Sequence, residues 1–229
     1  MRDYTASAVI PIYKKWSLCH SLLTDLKDNE TLDEVIVVED GSNDKEVNEG
    51  LDFWINSKLL PLHVVRIREN AGFTIASNIG LKSAYKPLAT RHITFLISND
   101  VSVKGKFVEQ AADLLFSSRR YLVGNRHIVF DSGWNTFNGK TFDYLEGWFL
   151  GCTSDGWRDI GYFDEEYAPY DMEDIDLSTT AKKKGYKLAA LNNPNIKHMG
   201  GGTIGFNPER EVITNRNKEY FRKKWMNEY

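Results

Sequence analysis

The feature that most constrains this chain is an alternation that runs through residue 116. Short β-branched apolar runs take turns with segments of helical period. Ala6–Ile12, Glu34–Val38, Leu62–Ile67 and the run that begins at Ile93 read as strands, the first closed by Pro11. Between the first two, Trp16, Cys19, Leu22, Leu23 and Leu26 recur at helical spacing. Phe107, Ala111, Leu114 and Leu115 do so after the fourth. Strands separated by one helix each pair in parallel, and such strands need cover on both faces. The pattern therefore predicts an α/β fold with a mostly parallel central sheet and helices on both faces. No repeat or Pro/Gly/Ser-rich linker divides the 229 residues, so one domain over 1–229 is expected.

In such sheets ligands gather where strands end at their carboxyl termini. The fourth strand ends on Ser98-Asn99-Asp100. A carboxylate there can hold a divalent cation, and the cation a diphosphate, although Asn and Asp also make ordinary turns. The second strand ends on Glu39-Asp40-Gly41-Ser42, where Gly41 permits a tight turn and Ser42 or Asn43 can cap the next helix. Asn70 through Leu81 reads as a turn opening a helix that reaches about Tyr85. Gly72 lets backbone come close there, and a helix N-terminus favours phosphate; an ordinary capped helix start fits equally.

After Tyr121–Val129, a further predicted strand, the character changes. Asp131–Gly156 is rich in Gly, Asn and rings, among them Trp134, Phe137, Phe142, Tyr144, Trp148 and Phe149. At least half should build a second core; a few could instead form apolar platforms with polar tips that suit the C–H faces and hydroxyls of a sugar. An acidic run, Asp164–Leu177, precedes a helix reaching about Lys184, with Gly185 at its C′ position. Lys187–Leu191 reads as a strand, and Asn195–Gly205 as a glycine-rich loop holding His198. Asn217–Trp225 reads as a terminal helix that packs Phe221 and Trp225 onto the domain.

A net charge of −3 argues against sequence-independent nucleic-acid binding. Cys19 and Cys152 show neither disulfide nor metal spacing, which fits a reducing compartment. No apolar run approaches the roughly 20 residues that span a bilayer. Met1-Arg2-Asp3-Tyr4 lacks a signal-peptide core. The expected location is cytoplasmic, with peripheral work at a membrane surface left open.

Taken in order, Ala8-Val9-Ile10-Pro11-Ile12-Tyr13, Val37–Ser42, Asn70–Leu81, Ser98-Asn99-Asp100, Gly161–Glu165, Glu173-Asp174-Ile175-Asp176-Leu177 and His198 with its glycines resemble family 2 glycosyltransferases of the GT-A fold. The resemblance runs from about Ala6 to Trp225. Its most specific pieces are the Asp-Gly-Ser and Glu-Asp-x-Asp-Leu blocks in that order. It implies a single Rossmann-like GT-A domain, with residues to about 100 binding a nucleotide sugar and the rest binding an acceptor. The implied donor carries UDP, GDP or dTDP, the acceptor is a glycan or lipid-linked, and the cofactor is Mn²⁺ or Mg²⁺. Pro11, Tyr13, Asp40, Asn70, Gly72, Asn78 and Asn99 fall to the donor, Asp100 and His198 to the metal, and Trp148, Gly151 and Glu173 to the acceptor.

The resemblance makes Asp174 the catalytic base. A helix start favours its ionised form, and Glu173 and Asp176 diverge from it on a helix. One such base implies a single in-line displacement with inversion. Ser98 departs from the family's usual Asp-x-Asp, leaving Asp100 as the one carboxylate of that motif. A binding module with a weakened metal site is therefore the alternative. A sugar-1-phosphate nucleotidyltransferase fits less well, because Ile10–Ser17 has Lys14 and Lys15 but no glycine for a phosphate loop.

Overall fold

The computed structural model describes residues 2–86, 91–131, 133–200, 205 and 207–226. The alternation holds through β1 (Thr5–Ile12), α1 (Trp16–Asn29), β2 (Glu34–Asp40), α2 (Lys45–Ser57), β3 (Leu62–Ile67), α3 (Phe73–Ser83) and β4 (His92–Ile97), after which a short second strand, β5 (Val101–Val103), outside the main sheet precedes α4 (Val108–Leu115). Then come β6 (Tyr121–Gly124), β7 (His127–Ile128), β8 (Thr136–Phe137), β9 (Lys140–Thr141), β10 (Tyr144–Leu145), β11 (Phe149–Thr153) and α5 (Ser154–Ile160). A 3₁₀ turn at Glu165–Tyr167 leads to α6 (Glu173–Lys183), β12 (Lys187–Ala190), β13 (Ile196–His198) and α7 (Pro208–Met226).

Seven strands form one sheet in the order β12-β6-β11-β4-β1-β2-β3. All neighbours pair in parallel except β11, which runs antiparallel to both β4 and β6. Side-chain alternation assigns the two faces. Ala8, Ile10, Val35, Val37, Phe95 and Ile97 meet α1, α2 and α4 in one core; Val9, Ile36, Val38 and Leu96 meet α3, α5 and α6 in another. Pro11 fits inside a central strand because the ladder to β4 stops at Val9–Leu96, whereas the ladder to β2 continues to Ile12–Glu39. The ring-rich stretch builds a third core, where Phe137, Phe142 and Tyr144 pack on Tyr167, Phe221 and Trp225.

Three local expectations are corrected. The capping residue of α2 is neither Ser42 nor Asn43 but Asp44, whose carboxylate accepts from Glu46 and Val47 amides. Tyr121–Val129 is two short strands, because β6 stays in the main sheet while β7 pairs with β10. His198 ends a strand, β13, that pairs antiparallel with β5; of its trailing glycines, Gly201 and Gly202 lie outside the described residues.

Candidate active site

Parallel strands end on the same edge, and β11, being antiparallel, begins there. That geometry brings Tyr13, Asp40, Asn70, Ser98–Asp100, Asn125 and Glu146–Trp148 to one rim. Lys14 and Lys15, both left-handed (φ 54° and 52°), turn the chain away immediately after Tyr13.

On the β1–β3 side, buried Asp40 accepts from the Ala71 amide at 2.8 Å and the Gly72 amide at 2.9 Å. Burial pushes its carboxyl above the usual range while those two amides pull it back. Asn70 Oδ1 also accepts from Gly72, and the Asn70 side chain hydrogen-bonds the Tyr13 hydroxyl, drawing that phenol below its ordinary range. Ser42, the last residue of the Asp-Gly-Ser block, accepts from the Lys14 amide. Tyr13, Asp40, Asn70 and Gly72 thus form one connected unit, with Pro11 buried beneath it in β1. Gly72 has φ +88°, and a Cβ there would lie 2.3 Å from Pro169 Cβ, so only glycine lets the two loops touch. Pro169 O accepts from the Thr74 amide, so a backbone carbonyl caps the start of α3, where the sequence suggested a phosphate.

At the end of β4, the Ser98 hydroxyl donates to Asp100 Oδ1 at 2.7 Å and orients it. Because His198 stands opposite Val101 in the β13–β5 register, its Nε2 comes within 3.2 Å of the same Asp100 oxygen. Two ligand atoms at adjacent corners of an octahedral hard cation lie about 3 Å apart, so a carboxylate oxygen and an imidazole nitrogen at this spacing suit one shared ion. Among the described residues, no group of three or more His, Cys, Asp or Glu that could hold a metal occurs. The pair therefore fits an ion that takes its remaining ligands from a bound substrate and water. Asn99 is buried between the two motif ends.

Across the rim, Asp174 stands in the first turn of α6. Its Oδ2 accepts from the Gly147 amide at 3.0 Å and its Oδ1 from the Ile175 amide at 2.8 Å. Burial pushes the carboxyl up to about 7, against those two amides. Burial therefore opposes both the helix dipole and the two amides at this carboxyl. The next residue after Gly147 is Trp148, whose indole stacks on the His198 ring with centroids 5.2 Å apart and planes 11° from parallel. The Trp148 carbonyl also accepts from the Ser98 amide. Consecutive residues thus touch Asp174 on one side and His198 on the other.

Three expected site residues also have contacts within the fold. The Asn78 amide is engaged by Phe163 N and O and by Glu165, fastening α3 to the segment before α6. Gly151 is buried mid-strand in β11, and a Cβ there would meet the Phe95 ring at 2.7 Å, so the glycine makes room for core packing. Glu173 is buried, with Oε2 lacking any hydrogen-bond partner. Burial, and after it the charges of Asp174 and Asp171, hold its carboxyl well above the usual range. Trp148 remains at the rim, but His198 covers one face of its ring. Sequence reasoning missed Glu146, which accepts from the Trp148 indole N–H at 2.8 Å and faces Arg126 at 3.4 Å. Its carboxylate two residues before a rim tryptophan was the available signal.

A mostly parallel sheet with an antiparallel strand entering beside its metal-type motif defines a GT-A fold. The sequence matches the family described as glycosyl transferase family 2 over residues 7–182, and the chain belongs to that family. No curated protein matches it. Among solved structures, GalNAc-T7 with UDP, GalNAc and Mn²⁺ superposes with a TM-score of 0.76 at 16% identity, covering 98% of this chain and 49% of that one. The mannosyltransferase PcManGT from Pyrobaculum calidifontis, in complex with GDP-Man and Mn²⁺, gives 0.60 at 17% identity, over 81% and 54%. S. aureus TarS with UDP-GlcNAc gives 0.63 at 16% identity, over 93% and 66%. This chain thus spans about half the length of the first two, and at such identities the likeness establishes the fold alone. Among the described residues, no helix is long and apolar enough to cross a membrane.

Proposed function

We propose that the chain is a metal-dependent, inverting glycosyltransferase that moves one sugar from a UDP, GDP or dTDP donor to a hydroxyl of a glycan or lipid-linked acceptor. The observation that carries this reading is the bridge of consecutive residues: Gly147 bonded to Asp174, Trp148 stacked on His198, and His198 beside Asp100. Displacement at an anomeric carbon needs both a proton acceptor and a charge-neutralising subsite on one rim. The structures of like fold that hold GDP-Man with Mn²⁺, or UDP and GalNAc with Mn²⁺, support the choice of donor class and cofactor.

Asp100 and His198 are the residues that would hold Mn²⁺ or Mg²⁺, which when bound neutralises charge developing on a leaving diphosphate. Tyr13, Asp40 and Asn70 orient the base of the donor. Asp174 removes the proton from the acceptor hydroxyl as its oxygen attacks C1 of the sugar from the face opposite the diphosphate. The new C1–O bond forms while the old one breaks, its electron pair leaves with the diphosphate, and configuration inverts. Residues to about 100 serve the donor and the rest the acceptor, with His198 crossing that division. A cytoplasmic location goes with this reading, at a membrane surface where the acceptor is lipid-linked.

Ser98 in place of a second motif carboxylate favours a second reading, a sugar-nucleotide-binding module without transfer. Incubation with UDP-, GDP- and dTDP-sugars, with and without Mn²⁺, separates the two. Mn²⁺-stimulated release of nucleoside diphosphate supports transfer; thermal stabilisation without release supports the module.

A further inference from the structure

We propose that Glu146 is a positioning residue: by holding the Trp148 indole against His198, it makes Glu146-Gly147-Trp148 a strap that fixes the donor-side pair relative to Asp174. This deepens the glycosyl-transfer reading and rests on it for its functional consequence.

Each residue of the strap has its own partner. The Glu146 amide donates to Arg126 O at 3.2 Å, anchoring the strap to the segment after β6. Glu146 Oε2 receives the Trp148 indole N–H at 2.8 Å, and its side chain is 22% exposed. Gly147 donates to Asp174, and a Cβ at Gly147 would sit 3.1 Å from Asp174 Cβ, so backbone and carboxylate are in direct contact. Trp148 touches Ser98 through its carbonyl and His198 through its ring. Phe149 then enters the sheet opposite Ile97, which locks the strap beside Ser98–Asp100.

An exposed ion pair explains Glu146 less well. Arg126 is 65% exposed and its nearest guanidinium nitrogen stands 3.4 Å away, a pairing worth about 0–1 kcal/mol. The indole bond is shorter, less exposed and directional. A ring that packs near-parallel on another needs its rotation fixed, and the N–H to Glu146 fixes it. Through that ring Glu146 restrains His198, the side chain that shares an oxygen of Asp100. Partners one shell out from a metal ligand typically change metal affinity by about 10–100-fold.

The test uses Glu146→Ala, Glu146→Gln (which keeps a carbonyl acceptor) and Trp148→Phe (which keeps a ring but no N–H). Two readouts are taken: the near-UV circular dichroism band that Trp148→Phe removes, and Mn²⁺ affinity in the presence of UDP or GDP by thermal shift. Glu146→Ala should lose that band and bind Mn²⁺ about 10–100-fold more weakly, while Glu146→Gln keeps the band and stays within about threefold. In the Trp148→Phe background, Glu146→Ala should add little. An intact band in Glu146→Ala, or an equal Mn²⁺ loss with and without Trp148, overturns the positioning role. Failure of the wild type to respond to any nucleotide with Mn²⁺ instead removes the glycosyl-transfer reading, and the circular dichroism band still decides whether Glu146 holds the ring.

Discussion

The Gly147 amide reaches Asp174 Oδ2 across 3.0 Å, so the candidate base is held by the same backbone that leads directly into the His198 stack. The carboxyl beneath it is pushed up to about 7 by burial. A base works only when ionised, so the sign follows. kcat/KM should fall about tenfold per pH unit below about 7 and level off above it. A pH–rate profile at saturating Mn²⁺ measures this. An acid limb centred near 4 would mean that Asp174 is solvated when the acceptor is absent.

Replacing Asp174 by Asn removes the proton acceptor while keeping the volume of the side chain. Turnover should drop about 10²–10⁴-fold, because general-base assistance is lost at the transition state only. Donor binding, followed by thermal shift with nucleotide and Mn²⁺, should stay within about twofold. Wild-type turnover in this variant would remove Asp174 from the mechanism.

The 3.2 Å approach of His198 Nε2 to Asp100 Oδ1 supports a separate expectation for the metal. A ligand present at 100 times its Kd stabilises by about 2.7 kcal/mol, or roughly 5–11 °C for a chain of this size. The Mn²⁺-dependent part of that shift should vanish in Asp100→Asn and His198→Ala, while any metal-free nucleotide shift persists. Differential scanning fluorimetry with and without chelator reads both parts. A full Mn²⁺ response in His198→Ala would place the ion elsewhere.

How much of this could be read in the sequence depends on whether a feature is local. The alternation of β1 through α4 was legible because period-2 and period-3.6 patterns are properties of adjacent residues. So was the dock of α7, since Phe221 and Trp225 are a helical turn apart and both are buried. His198 was harder. The glycines after it signal a loop, and only pairing with β5, almost a hundred residues earlier, makes it strand. The partners of Asn78, Phe163 and Glu165, are invisible to a local pattern. The packing need at Gly151 was hidden for the same reason, because the Phe95 ring that requires a glycine sits on another strand.

Gly72 offers a check on the donor-side loop. Its φ of +88° and the Pro169 atoms 2.3 Å from an added Cβ both oppose any side chain. Gly72→Ala should cost on the order of 1–3 kcal/mol from the backbone alone, with the clash adding to it. The thermal midpoint should fall by at least about 2–4 °C. Because Asp40 bonds the Gly72 amide, nucleotide affinity should fall with it. An unchanged midpoint and affinity would show that this loop contact is absent in solution.

Asp176 gives the clearest stability expectation, because it is a carboxylate only 2% exposed. It accepts from the Tyr167 hydroxyl at 3.1 Å, the Trp225 indole at 2.6 Å and Lys224 at 2.9 Å. Lys224 also reaches Asp164 at 2.7 Å, so one ammonium group ties α7 to both ends of the segment that carries the candidate base. Removing one partner of a buried pair leaves an uncompensated charge and costs about 3–5 kcal/mol. Lys224→Met should therefore lower the midpoint by at least about 6 °C at neutral pH. Burial already raises the Asp176 carboxyl, and losing the Lys224 charge raises it further. A raised folded-state value means that stability is lost as pH rises, so the deficit should be larger at pH 8 than at pH 5. The double variant Lys224→Met/Asp176→Asn should recover most of it, since no charge is then left buried. Equal deficits at both pH values, with no recovery in the double variant, would assign the loss to packing of the lysine stem instead.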